Sequence, residues 1–215
     1  MTDLRLQTPF TCIIASPSKS GKSTFVTKLL KNAKHMFSEP PSAIYYFYNT
    51  WSPSFRELKQ SGIVKEFIKG MCSREWLDEV CASTQNVTIV LDDQALSMTK
   101  EIAELFSVQS HQYSVNCILI AQNLFTKNKF FRDASLNASY IILGKNPRDE
   151  SSVRFLAQQM LPHKSKMLVD AYFMATRKPY SFLLLDFCQK TPDLFRWRAN
   201  IFSDDDIPMS IYIKK

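Results

Sequence analysis

A polar loop, Ser16-Pro17-Ser18-Lys19-Ser20-Gly21-Lys22-Ser23-Thr24, stands between an apolar run and an amphipathic segment. The run before it, Phe10 to Ala15 (FTCIIA), is continuous and rich in β-formers, which predicts a strand buried on both faces of a parallel sheet. After the loop, Phe25, Val26, Leu29, Leu30, Ala33 and Phe37 recur with a period of about 3.6, which predicts a helix from Lys22 that ends before Pro40. The loop itself reads GxxxxGK[ST] with serine in the first glycine position. A loop of this kind turns backbone N–H groups and a helix N-terminus towards nucleotide phosphates. Residues Ser16 to Thr24 are therefore the expected cradle for ATP, with Lys22 between the β- and γ-phosphates and the Ser23 hydroxyl on Mg²⁺. Gly21 is the glycine least easily replaced. Ser16 departs from the pattern, because glycine tolerates backbone angles that serine resists.

Val87 to Leu91 (VTIVL) is a second buried strand, and it ends in Asp92-Asp93. Alone, such a pair is usually a turn or a helix cap. Beside a phosphate loop it acquires a role: both carboxylates fall at the carboxyl edge of the sheet, where Asp92 can hold Mg²⁺ and Asp93 can polarise an attacking water. The strand Ala43 to Tyr48 (AIYYFY) intervenes between the two motifs, as in P-loop proteins with an extra strand between them. A further strand, Val115 to Ala121 (VNCILIA), ends at Gln122, whose amide would lie beside the γ-phosphate and sense it or orient water. Downstream, Lys127, Lys129 and Arg132 share a loop with Phe125, Phe130 and Phe131, and Lys145 to Arg148 follow. Basic residues interleaved with aromatics suit a nucleic-acid backbone. Arg132 or Arg148 could instead complete a neighbouring subunit's site.

The remaining pattern alternates helices (Arg74 to Cys81, Lys100 to Val108, 150–161, 164–176) with strands. Ser139 to Leu143 is a fifth strand, and Ser181 to Phe187 with Arg196 to Phe202 reads as an antiparallel hairpin. The expected fold is α/β, a mainly parallel sheet flanked by helices, as one domain over 1–215. Only four glycines occur, which excludes the Gly-rich dinucleotide fingerprint. Five cysteines without a CxxC pair fit reduced thiols rather than disulfides or zinc. Neither a membrane-spanning run nor a secretory leader is evident, so the chain is expected to stay where it is made. Residues 1–105 carry 12 Lys+Arg against 11 Asp+Glu and residues 106–215 carry 15 against 9, so the basic excess that suits a polyanion lies in the second half.

Taken together, SPSKSGKSTFV, IVLDDQ, ILIAQNLF, FRDASLNASYIILGKNPRDESSV and KPYSFLLLDFCQKTPDLFRWRANIF resemble the viral genome-packaging ATPases of the FtsK/HerA superfamily. The likeness is to the poxvirus-type packaging ATPase as found in Polinton-like and adintovirus-like elements, and it runs from about Phe10 to Phe202. It implies an ATP-driven homo-oligomeric ring that pumps double-stranded DNA into a capsid, working inside the host cell with capsid proteins as partners. By the same likeness Lys22, Asp92, Asp93, Gln122 and a trans-acting arginine, Arg132 or Arg148, are its functional residues. Ser16 and Lys19 replace usual glycines of the loop, and Asp93 stands where many members have glutamate. Two other readings share the phosphate loop: a nucleotide or small-molecule kinase, and a scaffold that uses ATP only to assemble.

Overall fold

The computed structural model describes residues 2–202 and 207–213; the acidic triplet Asp204 to Asp206, expected as a solvated turn, lies outside them. Its first half runs β1 (Thr11–Ala15), α1 (Lys22–Lys31), α2 (Ala33–Met36), β2 (Ala43–Tyr48), α3 (Phe55–Ser61), β3 (Glu66–Lys69), α4 (Arg74–Ser83) and β4 (Val87–Asp92). Next come α5 (Lys100–Glu104), a π-helical turn over Leu105–Gln109, α6 (Ser110–Gln112), β5 (Val115–Ala121), α7 (Lys129–Asn137) and β6 (Tyr140–Gly144). The chain continues through α8 (Ser151–Met160), α9 (Ser165–Ala175), β7 (Phe182–Asp186), β8 (Trp197–Ala199) and β9 (Ser210–Ile211).

The strands form one sheet in the order β3-β2-β4-β5-β1-β6-β7-β8-β9. From β3 to β6 all pairings are parallel, and β7, β8 and β9 extend the sheet antiparallel. Every residue of β1 and β5 is buried, as an unbroken apolar run requires when helices cover both faces. Alternate residues of β1 face opposite ways. Cys12 and Ile14 pack with Val26, Leu29 and Leu30 of α1, whereas Ile13 and Ala15 join Ile102, Phe131, Leu156 and Leu168 from the helices of the other face. Each Val, Leu, Ile or Phe among them contributes about 1.5–3 kcal/mol on burial. The strand and helix that flank the phosphate loop are thus firmly held, and the loop can carry strain.

The expected α/β architecture and the antiparallel carboxyl-terminal strands are present, with differences in detail. An extra strand does separate β1 from β4, but it is β5; β2, the AIYYFY strand, lies on the far side of β4. Helical crossovers let a strand that is later in sequence enter the gap, so neighbours in the chain are not neighbours in the sheet. The helix expected to run to Pro40 breaks at Asn32, whose side-chain amide competes for the Lys28 carbonyl at 3.1 Å. The segment expected as a basic loop around Lys129 to Arg132 is helix α7. Asn128 starts it, its Oδ1 accepting from the backbone N–H groups of Phe130 (2.9 Å) and Phe131 (3.2 Å).

Candidate functional site

Register fixes where the motifs meet. Ala15 pairs with Ala121 on one side and Leu143 on the other, while Asp92 pairs with Ile120 and Tyr48. Ser16, Asp92, Asp93 and Gln122 therefore leave the sheet at one edge. The Ser16 N–H continues the ladder, donating to the Ala121 carbonyl at 3.2 Å.

Within the loop Ser16 is buried and its φ is not positive, so serine sits there without backbone strain. Lys19, at φ +63°, holds the left-handed conformation that its usual glycine would take freely. Such a residue costs on the order of 1–3 kcal/mol and persists because its surroundings hold it. Gly21 is at φ +89°, and a Cβ there would come within 2.9 Å of Tyr180 Cδ1, so both conformation and space require glycine. Pro17, Ser20 and Ser23 are half-buried, and Ser18, Lys19 and Thr24 face solvent. The Ser20 Oγ is buried with no hydrogen-bond partner among the described residues.

Lys22 folds back over the loop, its Nζ donating to the carbonyls of Ser16 and Pro17, the latter at 2.7 Å. Burial pulls its pKa down, and the nearby Asp92 and Asp93 carboxylates pull it up. Asp92 is the counterpart. Burial raises its carboxyl pKa, the hydrogen bond from Tyr46 lowers it, the Asp93 charge raises it and Lys22 lowers it. The Tyr46 hydroxyl donates to Asp92 Oδ2 at 2.9 Å.

Asp93 is exposed and left-handed at φ +57°. Three bonds hold it: its N–H donates to the Ile120 carbonyl (3.2 Å), its own carbonyl accepts from Asn49 Nδ2 (3.0 Å), and Oδ1 accepts from Gln122 Nε2 (3.1 Å). Gln122 thus arrives at the expected edge and bonds Asp93. Tyr46 and Asn49 escaped the sequence reading, although a tyrosine inside a buried strand is itself a signal, because its hydroxyl needs a partner.

A cavity of about 1070 Å³ opens beside the loop. Gly21 to Phe25 and Lys28 form one wall, Tyr180, Phe182, Asn200 and Phe202 another, with Ser52 and Ser54 at the side. Neither Arg132 nor Arg148 lines it. Arg132 is exposed on α7 and Arg148 on the loop after β6. Asn146 and Asp149, on either side of Arg148, do lie in a small pocket with Ser16 and Gln122, so the loop that carries Arg148 runs beside the phosphate loop. The aromatics near Arg132 are also not free to grip a ligand together: Phe131 is buried and Phe130 packs against the core, which leaves Phe125 exposed.

No family model matches the sequence, and no curated protein is similar to it in sequence. Solved structures do match. The genome packaging NTPase B204 of Sulfolobus turreted icosahedral virus 2, in complex with sulfate, aligns over 88% of this chain and 95% of its own, with TM-score 0.58 and 14% identity. In complex with ATPγS it aligns over 98% of both chains, with TM-score 0.55 and 14% identity. B204 of Sulfolobus Turreted Icosahedral Virus, described as a DNA-packaging ATPase, covers 85% of this chain and 94% of its own, with TM-score 0.57 and 13% identity. The cytoplasmic domain of the Type VII secretion ATPase EccC from Thermomonospora curvata aligns over 94% of this chain and 25% of its own, with TM-score 0.52 and 15% identity. At these identities the likeness is one of architecture, and the chain has the P-loop NTPase-like fold of the genome packaging NTPase B204.

Proposed function

We propose that this chain is an ATP-driven motor that moves double-stranded DNA and packages a viral genome into a capsid. The observation that carries this reading is the convergence of Lys22, Asp92, Asp93 and Gln122 on one sheet edge, in a chain that folds like a genome packaging NTPase. The residues present fit a magnesium-bound triphosphate. The Ser23 hydroxyl and the Asp92 carboxylate are hard oxygen donors, the type Mg²⁺ takes together with phosphates and water. Ser23 and Asp92 would hold the ion, which when bound neutralises charge on the triphosphate.

In this reading the loop N–H groups and the α1 N-terminus bind the phosphates, and Lys22 exchanges the Ser16 and Pro17 carbonyls for phosphate oxygens. Asp93 accepts a proton from the attacking water, and Gln122 exchanges Asp93 for the γ-phosphate. The cavity beside α1 accommodates the nucleoside. Arg132 or Arg148, neither of which lines the cavity beside the chain's own loop, serves the next copy in a homo-oligomeric ring. The exposed Lys127, Lys129, Lys145 and neighbouring arginines meet DNA phosphates, and capsid proteins complete the assembly.

The decisive experiment measures ATP turnover with and without long duplex DNA over a range of salt. A motor is stimulated by duplex of any sequence, and its DNA affinity falls with salt at a log–log slope of roughly −0.9 per phosphate neutralised. A kinase responds to a phosphate acceptor instead, and a scaffold to neither; either result would displace this reading.

A further inference from the structure

We propose that Tyr46 is a positioning residue for Asp92, fixing the carboxylate that holds Mg²⁺; the inference rests on the reading of Asp92 given above. In the β2–β4 pairing Tyr46 stands opposite Val90, and Asp92 lies two residues further along the same face. A tyrosine side chain is long enough to span that step, and its hydroxyl ends 2.9 Å from Asp92 Oδ2. Among the described residues no hydrogen bond engages Oδ1, which leaves that oxygen for the ion.

The ring is held as firmly as the hydroxyl. Tyr46 is 1% exposed and packs with its centroid 4.9 Å from Phe55 and 5.4 Å from Phe67. Both of these rings rest in turn on Trp51, at 5.4 and 5.6 Å. A phenol inside such an apolar cluster must find an acceptor or lose the hydrogen bonds it made to water. The acceptor here is a carboxylate at the sheet edge. Swinging the Asp92 carboxylate away would break that bond and strand the hydroxyl, so the firmly held ring favours one direction for the carboxylate. Tyr46 does not line the cavity beside the phosphate loop, and for that reason it is a positioning residue and not a catalytic one. The residue that orients a metal-binding carboxylate typically changes metal affinity by about 10–100-fold when removed.

Tyr46→Phe keeps the ring and removes only the hydroxyl. The measurements are ATP affinity by calorimetry in EDTA, its enhancement as Mg²⁺ is titrated, the Mg²⁺ concentration for half-maximal turnover, and thermal unfolding. Expected in Tyr46→Phe is unchanged ATP affinity in EDTA, a Mg²⁺ requirement raised about 10–100-fold in both binding and turnover, and turnover within a few-fold of the parent at saturating Mg²⁺. A merely structural tyrosine would instead lower the unfolding temperature and leave the Mg²⁺ curve where it was. That outcome, with Asp92→Asn losing the Mg²⁺ response, overturns the positioning role and leaves the reading of Asp92 intact. If ATP binding by the parent does not respond to Mg²⁺ at all, the reading fails and this inference with it. Should Tyr46→Phe not fold, Phe67→Leu leaves the hydroxyl and loosens the ring beside it. A Mg²⁺ curve identical to the parent's then counts against the proposal, and a rightward shift supports it.

Discussion

Ser16 and Gly144 share one space at the edge of the sheet. A Cβ on Gly144 would lie 2.8 Å from the Ser16 Cβ and closer still to its Oγ, with Phe182 Cε1 at 2.7 Å on the other side. Ser16 directly follows β1 and Gly144 ends β6, adjacent strands whose last pairing is Ala15 with Leu143. A serine at the first position of the phosphate loop is accommodated because the neighbouring strand offers no side chain at that level. Gly144 has an ordinary φ, so its role is space and not backbone freedom.

Gly144→Ala is expected to destabilise the fold by about 1–3 kcal/mol, the usual cost of forcing a methyl into packed surroundings. Ser16→Gly should recover part of that loss, the remainder being the contact with Phe182. Denaturant unfolding of both single variants and the double variant measures the coupling, expected at about 0.5–3 kcal/mol for residues in contact. Strict additivity would show that the two positions are independent.

Lys22→Ala should lose tight Mg·ATP binding and keep the fold. The side chain reaches only loop carbonyls, so its removal leaves the two cores untouched, whereas the triphosphate loses its cationic partner. Calorimetry with Mg·ATP and thermal unfolding check the two halves; equal affinity in variant and parent would remove Lys22 from the site.

Asp93→Asn should retain ATP binding and slow turnover by about 10²–10⁴-fold, because an amide cannot take the proton of an attacking water. Gln122→Ala should also slow turnover, since the amide that holds Asp93 Oδ1 and is read as passing to the γ-phosphate is lost. Single-turnover rates beside equilibrium ATP affinity separate the two effects. Normal turnover in Asp93→Asn would move the base to another residue.

Arg132→Ala or Arg148→Ala should spare ATP binding and abolish turnover in whichever variant removes the residue acting on the neighbouring copy, a contribution of about 10³–10⁵-fold. Mixing that variant with Asp93→Asn should restore some activity, because some interfaces then pair an intact site with an intact arginine. ATPase rate against mixing ratio, with DNA present, makes the test. A rate that never rises above the pure variants for either arginine would rule out a shared site.

Much of the candidate site was legible in the sequence because its parts are local. The loop from Ser16 to Thr24 follows a continuously apolar strand and opens an amphipathic helix, and Asp92-Asp93 closes a second apolar strand. Periodicity and chain order suffice for such signals, since parallel strands end their carboxyl termini at one edge wherever they stand in the sheet. Helix α7 was also within reach of sequence rules, through Asn128 as its cap, but the short spacing of Phe131 and Ala134 among polar residues hid its apolar face. The edge strand β3, four residues with exposed ends, carries too little alternation to be read.

What only the tertiary structure decided is which side chains meet across strands. VNCILIA and AIYYFY are both apolar runs, and nothing within them says that the first lies between β1 and β4 and the second beyond. That order, set by how the crossovers pack, brings Gln122 to Asp93 and Tyr46 to Asp92. Likewise Ser16 reads as a departure in one dimension and becomes unstrained only beside Gly144, 128 positions later in the chain. Local sequence determines conformations through short-range sterics and periodic burial; pairings between distant residues depend on the close packing of the whole sheet, which no single segment encodes.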